Sequence, residues 1–167
     1  MYLRRMRACA VAVAVVALDQ AAKFLVRGRF AHEGDGWVVL PGMLDVRYVR
    51  NTGAAWGVLS GFQISLALFA VVMLALLIRY RHVLLGAIAL RWLVLGLLAG
   101  GIAGNLIDRV VFRYVTDFVD CHWGAAHFPA FNVADASICT GVGLYLLLGW
   151  LAERRRGPAN RSAVGPG

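Results

Sequence analysis

Charge is the first thing in short supply. Only 16% of the 167 residues are Asp, Glu, Lys or Arg, against 60% hydrophobic side chains and a mean hydropathy of +0.70. A soluble domain of this length needs more polar surface than that, so a bilayer is the fitting solvent. Cysteine is also scarce: Cys9, Cys121 and Cys139 have no CxxC spacing, and two of them lie in apolar runs, which excludes a disulfide framework. Acids are outnumbered, 9 to 17, for a net charge of +8. The arginines gather at the ends of apolar runs instead of forming a stripe, which argues for membrane orientation and against nucleic acid. Missing too are a GxSxG motif, a histidine on an apolar span and a Ser/His or Cys/His pair in the membrane, so the familiar serine and cysteine hydrolases lack their residues.

What is present is four apolar runs. A spanning helix needs about 20 such residues, and the runs Ala8–Val26, Phe62–Ile78, Gly86–Ile107 and Val133–Ala152 meet that length. Arg4, Arg5, Arg7, Arg79, Arg81, Arg91, Arg154, Arg155, Arg156 and Arg161 fall on one side, ten against six on the other, so both termini are expected in the cytoplasm. The basic start could belong to a cleaved signal peptide, but Asp19, Gln20 and Lys23 stand where a small-residue cleavage site belongs, so the first segment is expected to stay. Residues 1–156 read as one domain, and Gly157–Gly167, rich in Gly and Pro, as a disordered cytoplasmic tail. Where the second run gives way to the third, the stretch Val83–Arg91 is so apolar that the boundary is not marked.

Two segments face outward. After the turn signal Pro41-Gly42, Leu44, Val46 and Tyr48 alternate with Asp45 and Arg47, predicting a short strand. Between Arg109 and Phe131 a second alternation runs from Tyr114 to Phe118 and ends in the turn-like Phe128-Pro129-Ala130. The predicted fold is mainly α and integral to the membrane: four transmembrane helices with a small extracytoplasmic β-sheet and a short loop or helix at the membrane surface.

An ionisable group near the centre of a spanning helix costs about 2.5–3.5 kcal/mol, so its position needs a reason. Here Asp19, Lys23, Asn51, Asn105, Asp108, Arg109, Asp117, Asn132 and Asp135 converge on one membrane face. Simple structural readings exist for several. Asp19 and Lys23, four apart, can pair on the helix surface and snorkel. Asn132 can cap the fourth helix with Asp135 completing the box, and Asp108 beside Arg109 can anchor at the interface. Gly96, Gly100 and Gly104, with Gly101 beside them, permit close packing of the third helix, which brings Asn105 and Asp108 toward Asp19 and the start of the fourth. Chemically, two adjacent carboxylates share one proton, and the ionised one can draw a proton from water for attack on a carbonyl. The choice among Asp19, Asp108, Asp117 and Asp135 stays open at this level. The spacing of His122 and His127 near Asp120 and Cys121 matches no standard metal site. A proton-coupled carrier and a scaffold in which the acids only cap and anchor are the competing readings.

The motifs LDQAAK (Leu18–Lys23), NTGAAWG (Asn51–Gly57), GGIAGNLIDR (Gly100–Arg109), TDF (Thr116–Phe118) and FNVADASI (Phe131–Ile138), in this order, resemble lipoprotein signal peptidase, or signal peptidase II, along nearly the whole chain. The resemblance implies a cofactor-free, metal-free aspartyl endopeptidase of the bacterial inner membrane. Such an enzyme removes signal peptides from diacylglyceryl-modified prolipoproteins just before the lipidated cysteine. It implies Asp117 and Asp135 as the catalytic pair, Asn51, Asn105, Asp108, Arg109 and Asn132 as substrate-positioning residues, and Asp19 and Lys23 as structural support. It further implies an extracytoplasmic active site, membrane lipids and prolipoproteins as partners, and a monomer. Trp56 and Thr116 depart from the family's usual Phe and Val, changes that a lipid-facing or neighbouring position could absorb.

Overall fold

Residues 2–53, 61–86, 88, 90–124 and 126–155 are described by a computed structural model of the protein. Ala54, Ala55, Trp56 and Gly57 of the NTGAAWG motif, and the tail 157–167, lie outside the described residues.

Among the described residues, four helices are long and apolar enough to cross a membrane: α1 (Tyr2–Arg29), α2 (Gln63–Leu85), α3 (Arg91–Val111) and α4 (Val133–Arg155). They are the four expected spans with moved ends. α1 begins before Ala8 and takes Arg4, Arg5 and Arg7 into the helix. α2 continues past Ile78 through Arg79, Arg81 and His82 to Leu85, so one histidine does sit on a spanning helix, in its last turn. The chain turns at Gly86 and again at Leu90, and α3 starts at Arg91, five residues later than expected. Leu90 at that turn is left-handed, with φ 56°, an uncommon conformation for a bulky side chain that no residue preference announces.

Close packing is built on glycine. A Cβ added to Gly96 would lie 2.6 Å from the Val11 Cβ, one on Gly100 2.8 Å from the Ala12 carbonyl, and one on Gly104 2.7 Å from the Asp19 carboxylate. The two sets of positions ascend together, so α1 and α3 run parallel in near backbone contact. Gly101 faces Ala134 and Ile138 of α4, and Gly141 of α4 faces Leu98, which sets α4 antiparallel on the other flank of α3. α2 packs against α3. Leu18 and Phe24 of α1, Leu68 and Phe69 of α2 and Leu146 of α4 stay exposed, the outward apolar surface that lipid covers.

Among the described residues, four strands, β1 (Gly36–Leu40), β2 (Leu44–Asn51), β3 (Val115–Trp123) and β4 (Ala126–His127), form an antiparallel sheet in chain order. β2 and β3 are the two predicted extended stretches. β1 was not predicted, because all five of its residues are exposed and GWVVL carries no alternation. Tyr48 packs with Val26 and Phe30 and so pins the sheet to the last turns of α1, beside the end of α3 and the start of α4. All the polar residues singled out above therefore meet at one end of the bundle.

Candidate active site

Asp117 lies on β3 and Asp135 in the first turn of α4. Asp117 owes its neighbours to an irregular register. Val46 pairs with Val119, but Val49, three residues on, pairs with Asp117, two residues back. The extra residue is a bulge that shifts which β2 side chains face which β3 side chains. Uninterrupted pairing would put Tyr48 opposite Asp117; the bulge puts Val49 there and brings Asn51, two further on, to the same face. The Asn51 amide accordingly donates to one Asp117 carboxylate oxygen at 2.9 Å.

The other Asp117 oxygen accepts from the Asn132 amide at 2.7 Å. That amide also reaches the Asn105 side-chain oxygen at 3.1 Å, and the Asn105 amide donates to Asp135 at 2.7 Å. A chain of two asparagines thus joins the two acids. Asn132 and Asp135 complete a reciprocal capping box, with Asp135 N–H to the Asn132 side chain at 2.9 Å and Asn132 N–H to the Asp135 carboxylate at 3.3 Å. The capping and active-site readings of these residues are therefore compatible: the cap fixes the side chains that the site uses.

Beneath lies a buried ionic layer. Asp19, Lys23 and Asp108 are each 0% exposed. Lys23 Nζ meets Asp19 at 2.8 Å, Asp108 at 3.3 Å and the Asn105 oxygen at 2.9 Å. The expectation that Asp19 and Lys23 pair on the helix surface and snorkel is thus corrected. The pair faces inward because Asp19 also accepts the Ala134 N–H at 2.9 Å at the start of α4, where helix polarity favours an anion. Asp108 also accepts the Thr116 N–H at 2.9 Å, and Arg27 approaches it at 3.7 Å. Nor is Thr116 a lipid-facing position: it is fully buried, and its hydroxyl accepts from Arg27 at 2.9 Å.

A cavity of about 990 Å³ opens above this layer, and Asn51, Asn105, Arg109, Asp117 and Asp135 line it. Asp108 and Asn132 stand behind its wall, both 0% exposed. Arg109 donates to the carbonyls of Asn105 and Gly53 at 3.4 and 3.3 Å, and its buried Nε has no hydrogen-bond partner among the described residues. His127 also lines the cavity, 2.9 Å from Asp120 and stacked on His122. Burial raises the Asp117 carboxyl to about 7, with the Asp135 charge adding to the effect; the amides of Asn51 and Asn132 and the charge of Lys23 oppose it.

Sequence reasoning passed over Gln20, whose amide ties together Asp19, the Gly104 carbonyl and Asp108 at 3.1–3.2 Å. Its place in an apolar helix one residue after Asp19 was the available signal. Arg27 was not singled out from the sequence, yet it crosses to Asp108 and Thr116 and stacks on Phe112 at 4.2 Å.

The profile of the Signal peptidase (SPase) II family matches residues 11–151. A lipoprotein signal peptidase of Syntrophotalea carbinolica is 46% identical over 149 residues, covering 84% of this chain and 88% of that protein. One from Geobacter metallireducens is 40% identical over 147 residues, with 83% and 86% covered. Among solved structures, a bacterial membrane enzyme determined by the in meso method at 2.3 Å superposes with a TM-score of 0.77 at 30% identity, covering 90% of this chain and 92% of that one. A second, at 1.9 Å, gives 0.68 at 33% identity with 84% and 90% covered. Profile, relatives and fold agree over the helices and strands that build the cavity, and the chain belongs to the signal peptidase II family, membrane-embedded proteases of the bacterial inner membrane.

Proposed function

We propose that this protein is an aspartyl endopeptidase that cleaves diacylglyceryl-modified prolipoproteins just before the lipidated cysteine, with Asp117 and Asp135 as its catalytic pair. The observation that carries the reading is that these two acids, from separate elements, line one cavity and are joined through Asn132 and Asn105. With one proton between them, held on Asp117 below about pH 7, Asp135 draws a proton from a water molecule. The resulting hydroxide attacks the scissile carbonyl while Asp117 donates its proton to the carbonyl oxygen. Collapse of the tetrahedral intermediate breaks the C–N bond, and the departing amine takes a proton from the pair.

Asn51 and Asn105 hold the two carboxylates from the cavity side, and Arg109, which also lines the cavity, sets a positive charge beside them for a substrate carbonyl. Asp108 and Asn132 act on substrate through the groups they orient, and Asp19 and Lys23 through the helices they join. The arginine bias assigns both termini to the cytoplasm and the cavity to the extracytoplasmic face. One chain contains every group named, so a monomer working among lipids suffices.

The test is processing of a purified diacylated precursor, followed by mass spectrometry. Asp117→Asn and Asp135→Asn should each abolish cleavage while the protein still inserts and purifies. Wild-type rates in either variant would remove that residue from the catalytic pair.

A further inference from the structure

At the end of the bundle away from the sheet, a crevice of about 710 Å³ opens between α1, α2 and α3. It exists because α2 leans on α3 without packing closely on α1. Arg4, Arg5, Arg81 and Arg91 line its mouth, and Leu74, Leu95, Ala99 and Ala103 line its depth. Arg81 and Arg91 are half-buried, and their guanidinium groups are tethered at the crevice by the carbonyls of Ile78 and Gly86. Of the nine acidic residues, all but Glu153 belong to the sheet, its loops or the buried ionic layer and helix ends beneath it, so the four arginines are nearly without counter-charge from the protein.

Depth and charge together identify the occupant. From Arg91 to Ala103, α3 rises about 18 Å, close to one leaflet's share, about 15 Å, of the hydrocarbon core. The crevice is thus cationic at headgroup level and apolar for about the length of a lipid tail. A second copy of this chain would bring the same arginines, and a signal peptide brings a basic N-terminal region; both are repelled. We infer that this crevice binds one anionic glycerophospholipid, its phosphate against Arg4, Arg5, Arg81 and Arg91 and its acyl chains between α1, α2 and α3. The inference does not rest on the aspartyl mechanism.

Native mass spectrometry of the purified protein with equimolar phosphatidylglycerol and phosphatidylcholine tests it. One phosphatidylglycerol should be retained at least about tenfold in preference to phosphatidylcholine, since each arginine near a lipid surface contributes about fivefold. Arg81→Gln with Arg91→Gln should erase most of that preference, and Lys at both positions should restore it. Ala99→Leu, which fills the crevice and keeps every charge, should also lose the bound lipid. Arg79→Gln with Arg154→Gln removes the same charge outside the crevice and should change nothing; circular dichroism verifies that each variant is folded. Equal retention of the two lipids, or equal loss in the Arg79/Arg154 variant, would overturn the site. So would displacement by millimolar inorganic phosphate, which has no tails, or a dimer in light scattering that the Arg81/Arg91 variant dissolves.

Discussion

Asp117 shows how much one side chain's setting can carry. A surface aspartate is ionised at neutral pH, but this one is buried and lies near a second acid, which raises it to about 7. In the proposed mechanism the pair works with one proton, so kcat/KM should fall as pH rises through about 7 and Asp117 loses it. The Asn51 amide favours the ionised form, so removing it moves the limb in a known direction. Asn51→Ala should shift the alkaline limb to higher pH, as read from kcat/KM against pH on a diacylated precursor; a shift to lower pH would mean that another group governs the limb. The acids and asparagines were legible because polar residues at the ends of apolar runs are costly and therefore few. Arg27 and Thr116 were not, because they partner each other from distant parts of the chain and nothing local announces it; Gln20 showed only as a polar residue in an apolar helix, with its partners Gly104 and Asp108 far along the chain.

At the scale of elements, α3 organises the molecule. Its glycine face was legible as a spacing, and it does bring Asn105 and Asp108 against α1 and α4. The turn at Gly86–Leu90 was hidden by the apolar run around it, and the β2 bulge had no residue signal because strand alternation on either side looks ordinary. Gly100→Leu should cost about 1–3 kcal/mol or more, since its first carbon already meets the Ala12 carbonyl at 2.8 Å. Gly143→Ala, with nothing within 4 Å, should be neutral or stabilise α4 by up to about 1 kcal/mol. Thermal melting in one detergent compares the two, and equal effects would mean that α1 and α3 are not in close contact. The ionic layer is the second joint between helices. Asp19→Asn leaves Lys23 buried with half its counter-charge and weakens the tie to the α4 N-terminus, so it should destabilise by about 3 kcal/mol. The folded fraction should keep its specific activity; a well-folded, inactive variant would move Asp19 into the chemistry.

For the whole molecule, the question is how a substrate arrives. The cavity wall includes Ala136 and Cys139, both exposed on the flank of the apolar helix α4, so the proposed route for a membrane-anchored substrate is through this side. A substrate whose cysteine carries two acyl chains is already held at that depth, because each buried methylene contributes about 0.8 kcal/mol to its membrane affinity. In the proposed function it would reach the acids by lateral diffusion, without being extracted from the bilayer. An unlipidated precursor lacks this anchor, and its scissile bond is free to sit at other depths. Its kcat/KM should therefore fall by at least about 100-fold, corresponding to about 2.7 kcal/mol of lost positioning. Cys139→Trp, which narrows the lipid-side opening without touching an acid, should slow the lipidated substrate and leave the residual cleavage of the unlipidated one nearly unchanged. If both substrates slow together, the opening serves the peptide instead of the acyl chains, and entry from the bilayer is the wrong route.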